Sequence, residues 1–217
     1  MEKKLLKESW DFVLGVDEAG RGPLAGPVVA GAVMLEEREF NEEEKKLWDL
    51  IKDSKKLSEK RREEVFEFIV KNFYTGVGIC NHETIDRINI LEATFLAMKK
   101  AVGDLKAKIL NQTNVGAKMI VLVDGDKIIP NFSLEQKSIV SGDKLVKSIS
   151  AASIIAKVTR DRMMQEMDVK YPNYQFAKHK GYGTKIHIDA LKKFGPCEIH
   201  RRTFAPVRNA INDRWKK

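Results

Sequence analysis

Apolar residues in this chain fall into short runs divided by turn-forming residues, and their spacing alternates between strand and helix periods. Phe12-Val13-Leu14-Gly15-Val16 reads as a buried strand, and Pro27 through Leu35 as a second. The turn between them holds Gly20, Gly22, Pro23, Gly26 and Pro27. Asn41 to Ile51 predicts a helix with Glu42, Glu43 and Glu44 in its first turn, where the helix dipole favours acids. Ser58 is suited to cap a helix running through Val65, Phe66, Ile69 and Val70. Phe73 to Ile79 is strand-like, and Ile90 to Leu110 carries the i, i+3, i+4 spacing of a helix. Met119 to Val123 is a buried strand that ends at Asp124-Gly125.

Lys137 to Val140 is a weaker strand, closed by Ser141-Gly142. A long helix is predicted from Lys144 to about Met167. Its middle, Ser148 through Ala156, is small or apolar nearly all round, which suits a helix seated closely on a sheet. Tyr171-Pro172-Asn173-Tyr174 breaks it, Thr184 caps a short helix that stops at Phe194-Gly195-Pro196, and Pro206 opens a last one. Strands interleaved with helices, followed by a helical tail, predict an α/β fold with an appendage. The division expected is a body over 1–169 and a helical segment over 170–217.

Charge sharpens that division. The chain has 217 residues, 43% of them hydrophobic, enough for one sizeable core, and a net charge of +8. Residues 170–217 hold 12 Lys or Arg against 3 Asp or Glu, so all the excess positive charge sits in the last quarter. Cations gathered beside an acid-bearing body fit a clamp on a polyanion, because binding phosphates releases their counterions. Cys80 and Cys197 form no CxxC pair and the four histidines no HExxH, so zinc and disulfide frameworks are not indicated. Any metal would be a hard cation held by oxygen. The apolar runs are too short for a membrane span and the first residues mix charges, so cytoplasmic residence without membrane attachment is expected.

The chemistry gathers around carboxylates. Asp17 and Glu18 follow the first strand, where alternation would send them to opposite faces unless the strand ends there and the backbone turns at Ala19-Gly20. Asp124 follows another strand, although Asp-Gly is also a common turn. Both sets lie at C-terminal strand ends, the edge where α/β sheets bind ligands. Asp143 precedes the long helix and could cap it, bind a metal, or do both. Asp161 competes with it but lies 18 residues on, roughly 27 Å along a helix at 1.5 Å per residue, so Asp143 is favoured and Asp161 reads as surface charge. Gly20-Arg21-Gly22 lets backbone and a cation approach an anion closely, yet the next glycine is Gly26, out of register for GxGxxG, and no P-loop follows. Lys55 and Lys56, just before the helix capped by Ser58, suit phosphate contacts. Tyr182, between Gly181 and Gly183 in the basic tail, could stack on a sugar or base.

These segments, in order, resemble the type 2 ribonucleases H, in particular bacterial ribonuclease HII. The resemblance runs from Asp17-Glu18-Ala19-Gly20-Arg21-Gly22-Pro23 through Asp53-Ser54-Lys55-Lys56-Leu57, Val123-Asp124-Gly125 and Gly142-Asp143. It continues through Ser150 to Asp161, Lys180-Gly181-Tyr182-Gly183-Thr184 and His200-Arg201-Arg202-Thr203-Phe204-Ala205-Pro206-Val207. The sister ribonuclease HIII group carries an additional N-terminal domain, whereas here the acidic pair arrives at position 17, with Arg21 after it. The resemblance implies a ribonuclease H-like mixed five-stranded sheet flanked by helices, with a C-terminal helical basic segment. It implies Asp17, Glu18, Asp124 and Asp143 as catalytic carboxylates holding Mg²⁺ or Mn²⁺ in a two-metal site. The substrates implied are RNA–DNA hybrids and duplex DNA carrying a single ribonucleotide, cut on its 5′ side to leave 3′-hydroxyl and 5′-phosphate ends. Gly20, Arg21, Gly22 and Tyr182 match positions that recognise the ribose 2′-hydroxyl and the RNA–DNA junction. A monomer is expected. The alternatives are a non-catalytic nucleic-acid binding module and, less consistent with the missing lysine loop, a phosphotransferase.

Overall fold

The computed structural model describes residues 1–7, 10–36, 38–54, 56–110 and 117–214. Strands β1 (Phe12–Ala19), β2 (Val28–Met34), β3 (Tyr74–Cys80), β4 (Met119–Asp124) and β5 (Glu135–Ile139) form one sheet in the order β3-β2-β1-β4-β5. The first three strands pair antiparallel, while β4 runs parallel to β1 and β5 parallel to β4. The helices are α1 (Glu2–Lys7), α2 (Glu42–Leu50), α3 (Glu59–Asn72), α4 (His82–Ile88), α5 (Ile90–Leu110), α6 (Gly142–Leu145), α7 (Lys147–Lys170), α8 (Phe176–His179), α9 (Lys185–Phe194) and α10 (Ala205–Arg214). The mixed five-stranded sheet flanked by helices is the architecture the sequence implies.

Two helices cover the sheet, one on each face. α5 buries Ala97, Met98, Ala101, Val102 and Leu105 against Leu14, Val16, Ala30 and Ala32. α7 buries Ala151, Ala152, Ile154 and Ile155 on the opposite face, against Val33 and the α3 residues Val65, Phe68 and Ile69. Strand glycines make the contact close. A side chain at Gly78 would collide with α5 backbone at Ala97, and one at Gly15 with α7 backbone at Ser148. The small residues in the middle of α7 therefore do what their pattern suggested.

Capping follows the sequence signals. Asn41 and Glu44 form a reciprocal capping box at α2, Ser58 accepts from the Arg61 N–H at α3, and Thr184 from the His187 N–H at α9. Each cap contributes about 1 kcal/mol to its helix. The long helix departs from expectation. It is preceded by the separate helix α6, and Val146 between them is extended (φ −124°, ψ 120°). No side chain of residue 146 can cap α7, and instead the Glu2 carboxylate of α1 accepts from the Ser148 N–H at 2.8 Å. Asp143 thus lies within α6 and is not the cap of the long helix.

The segment after α7 returns to the loop between β1 and β2. Ala25 forms an isolated bridge with His200, the Leu24 N–H donates to the Gly181 carbonyl at 2.8 Å, and the Gly26 N–H to the Ile199 carbonyl at 2.9 Å. Leu24 also packs with Leu191 and Val207 from α9 and α10. Among the described residues, no helix is long and apolar enough to cross a membrane.

Candidate active site

Asp17 and Glu18 lie inside β1, paired with Gly31 and Ala30 of β2, and the strand continues to Ala19. The expectation that the strand ends at the acids is corrected: what ends is the neighbouring ladder, whose last β1–β4 pair is Val16–Val123. Asp124, the last residue of β4, comes directly after that pair, and both carboxylates sense its charge although strand alternation separates their faces. Asp143 joins from α6, its N–H donating to Asp124 Oδ1 at 3.2 Å. Asp17, Glu18 and Asp124 thus act on one another's charge at this end of the sheet, and Asp143 meets them through its backbone contact with Asp124.

The electrostatics are those of crowded acids. Asp17 is buried, and its carboxyl is held well above the usual range, first by burial and then by the charges of Glu18 and Asp124. Hydrogen bonds from Ser153 and the Glu18 N–H oppose that shift only in part. Burial raises Glu18 as well, countered chiefly by Arg21, whose Nη1 lies 3.2 Å from Glu18 Oε1. Among the described residues, no three Asp, Glu, His or Cys side chains are already spaced to hold an ion. The donor set nevertheless fits a hard divalent cation, being all carboxylate oxygen, and the mutual repulsion of these acids is what such a cation relieves.

Beside the carboxylates lies a cleft of about 390 Å³, whose wall includes Glu18, Gly20, Arg21, Gly22 and Tyr182. Gly22 adjoins the tyrosine ring: a Cβ there would sit 3.5 Å from Tyr182 Cε1. Tyr182 is 46% exposed, so its ring is open to a ligand instead of filling a core. Gly20 has φ +99°, and a side chain there would strike Arg160, so this loop position requires glycine. Lys56 is exposed on the turn before α3 and is not part of the cleft wall, while Lys55 lies outside the described residues.

Asp161 is not surface charge, as its place on a long helix suggested. It is buried, and Lys157 Nζ lies 2.7 Å from its Oδ1. Lys157 and Ser153, one and two turns earlier on α7, line the cleft, and sequence reasoning did not single them out. The signal was present, since Ser153, Lys157 and Arg160-Asp161 recur at helix spacing on an otherwise apolar helix. Arg201, counted among the clamp cations, is fully buried.

Acids collected at the end of parallel strands, with a cation-bearing cleft beside them, define a nuclease-type centre on a ribonuclease H-like sheet. The Ribonuclease HII family profile matches residues 14–207. A ribonuclease HII from Caldicellulosiruptor bescii is 50% identical over 205 residues, covering 94% of this chain and 91% of that protein. One from Fusobacterium nucleatum is 54% identical over 193 residues, covering 88% and 85%. Among solved structures, the ribonuclease H2 of Pyrococcus horikoshii superposes with a TM-score of 0.70 at 28% identity, over 95% of this chain and 99% of that one. The chain belongs to the ribonuclease HII family. It is therefore a type 2 ribonuclease H, a divalent-metal-dependent endonuclease active on RNA–DNA hybrids.

Proposed function

We propose that this protein, besides cutting the RNA strand of hybrids, incises duplex DNA on the 5′ side of a single embedded ribonucleotide, leaving 3′-hydroxyl and 5′-phosphate ends. One observation carries the reading. The Gly20-Arg21-Gly22 loop and the exposed Tyr182 ring meet across the cleft that Glu18 also lines. A ribose set there has a glycine-flanked backbone on one side and an aromatic surface on the other, the arrangement needed to hold one sugar and test its 2′-hydroxyl.

In this reading Asp17, Glu18, Asp124 and Asp143 hold Mg²⁺ or Mn²⁺. The bound cations supply water activation and leaving-group stabilisation, which makes a protein nucleophile unnecessary. Arg21 restrains Glu18 through their ion pair, and Ser153 restrains Asp17 by a hydrogen bond. Lys56 and Lys55 serve the phosphate backbone near the N-terminus of α3, and the basic residues beyond 170 extend that contact. The protein works as a cytoplasmic monomer, with a catalytic unit over 1–169 and a substrate-binding segment over 170–217.

The test is single-turnover cutting of a duplex with one ribonucleotide, read at nucleotide resolution with end analysis. A single cut 5′ of the ribonucleotide, with 3′-hydroxyl and 5′-phosphate termini, supports the proposal. Cutting of long hybrids with no cut at the lone ribonucleotide overturns it.

A further inference from the structure

Arg160 and Arg201 are the largest side chains buried almost completely in this protein, at 1% and 0% exposure. A buried guanidinium normally has a carboxylate partner. Among the described residues these two donate to backbone carbonyls alone. Arg160 Nε reaches Pro27 O at 2.9 Å, its Nη1 Lys180 O at 2.9 Å and its Nη2 Ala25 O at 3.1 Å. Arg201 Nε reaches Gly26 O at 3.0 Å and its Nη1 Arg21 O at 2.9 Å, while Nη2 reaches Gly20 O at 2.6 Å and Pro27 O at 3.1 Å. The two forks share Pro27 and bind the cleft's glycine loop to the segment that carries Tyr182.

The direction of these bonds matters. A trans peptide points its N–H opposite to its C=O, and among the described residues there is no cis peptide bond. With the Gly20 and Arg21 carbonyls turned inward onto Arg201, the N–H groups of Arg21 and Gly22 face the other way, and both residues line the cleft. We infer that Arg201 and Arg160 are positioning residues for ribose recognition: Arg201 aims the Arg21 and Gly22 N–H groups into the cleft, and Arg160 sets that loop's distance from Tyr182. The inference rests on the ribonucleotide reading above. Lysine keeps the charge yet lacks the fixed multi-donor geometry. Burial lowers Arg160 to about 10 and Arg201 to about 9, the latter also through Arg160's charge, so both remain cations at neutral pH.

The test compares full-length parent, R201K and R160K by fluorescence anisotropy in EDTA, so that nothing is cut. The probes are two duplexes of one sequence, one carrying a single ribonucleotide and one all DNA. The parent should prefer the ribonucleotide duplex. In R201K, and in R160K, the preference should fall roughly tenfold, the loss expected from one or two hydrogen bonds, with all-DNA affinity kept within about twofold. Equal weakening on both duplexes, which a merely structural role gives, or an unchanged preference, overturns the inference. Should the variants not fold, amide NMR of the parent decides: the Arg21 and Gly22 N–H protons should shift downfield with the ribonucleotide duplex and not with all-DNA. An identical response to both overturns the inference. A parent with no preference at all instead sinks the ribonucleotide reading and the inference with it.

Discussion

A chain of buried histidines beneath the Tyr182 loop makes the protein sensitive to acid in a way that can be worked out bond by bond. The Cys197 N–H donates to His200 Nδ1 at 3.0 Å, so that nitrogen is an acceptor and the proton sits on Nε2. His200 Nε2 lies 2.9 Å from His187 Nε2 and donates to it, leaving the His187 Nδ1 proton for the Tyr182 carbonyl at 2.9 Å. Only one neutral tautomer of each ring satisfies the chain. A proton added to His187 would set two N–H groups against each other across the Nε2–Nε2 contact. Burial, the first cause in each case, lowers His187 to about 4 and His200 to about 3, and His187 lowers His200 further. The unfolded chain takes up protons near pH 6.5 that the folded chain refuses until about pH 4. Stability from this pair is therefore complete above 6.5 and falls as pH drops through that window. At 1.36 kcal/mol per unit, the displacement of His187 alone makes the loss about 3 kcal/mol, and His200 adds to it in the same direction. Urea unfolding of the parent and of His187→Gln from pH 7.5 to 4 measures it. The gap between them should narrow as pH falls. Parallel profiles would refute the tautomer chain.

Other outcomes follow from the same geometry. Tyr182→Ala should slow single-turnover incision at a lone ribonucleotide by the loss of one stacking contact, about 1–3 kcal/mol, without moving the Mg²⁺ dependence. Tyr182→Phe should retain most activity, and a Tyr182→Ala enzyme as fast as the parent would make the ring structural. Asp143→Asn should lose far more hybrid-cutting rate than Asp161→Asn, since Asp143 adjoins Asp124 whereas Asp161 is paired with Lys157. Asp161→Asn should instead lower the thermal midpoint by leaving Lys157 without its partner, and the reverse ranking of rates would contradict the carboxylate grouping.

The sheet and its long helices were legible because they are built from apolar runs that bury one face. β1, β2, β3, β4 and α5 lie within two or three residues of where their patterns put them. What escaped is held by contacts distant in sequence. α1 has too few residues to show a period, and its Glu2 finds its role 146 positions away at Ser148. The break at Val146 lies within a polar and apolar mixture that reads as continuous helix. In the candidate site, the acids and the glycine loop stood out because their residue types are unusual at strand ends. Arg160, Arg201 and Asp161 did not, since a charged residue in sequence reads as solvated and nothing local reveals that carbonyls or a lysine will enclose it. The descending bonds from Arg201 onto Gly20 and Arg21 exist only once the tail returns to the loop.

The central claim is that the acids on β1 and at the end of β4 act through bound cations and leave substrate binding to the surrounding loops. Its most direct measurement is a Mg²⁺ and Mn²⁺ titration of single-turnover cutting by the parent and by Asp124→Asn, with affinity for an uncut hybrid measured alongside. The account predicts that the parent is silent without divalent ions, and that Asp124→Asn binds the hybrid as the parent does yet cuts it at least about a hundredfold more slowly at every metal concentration, the scale on which removing one transition-state charge stabiliser acts. Parent-like cutting by folded Asp124→Asn at saturating metal would contradict it.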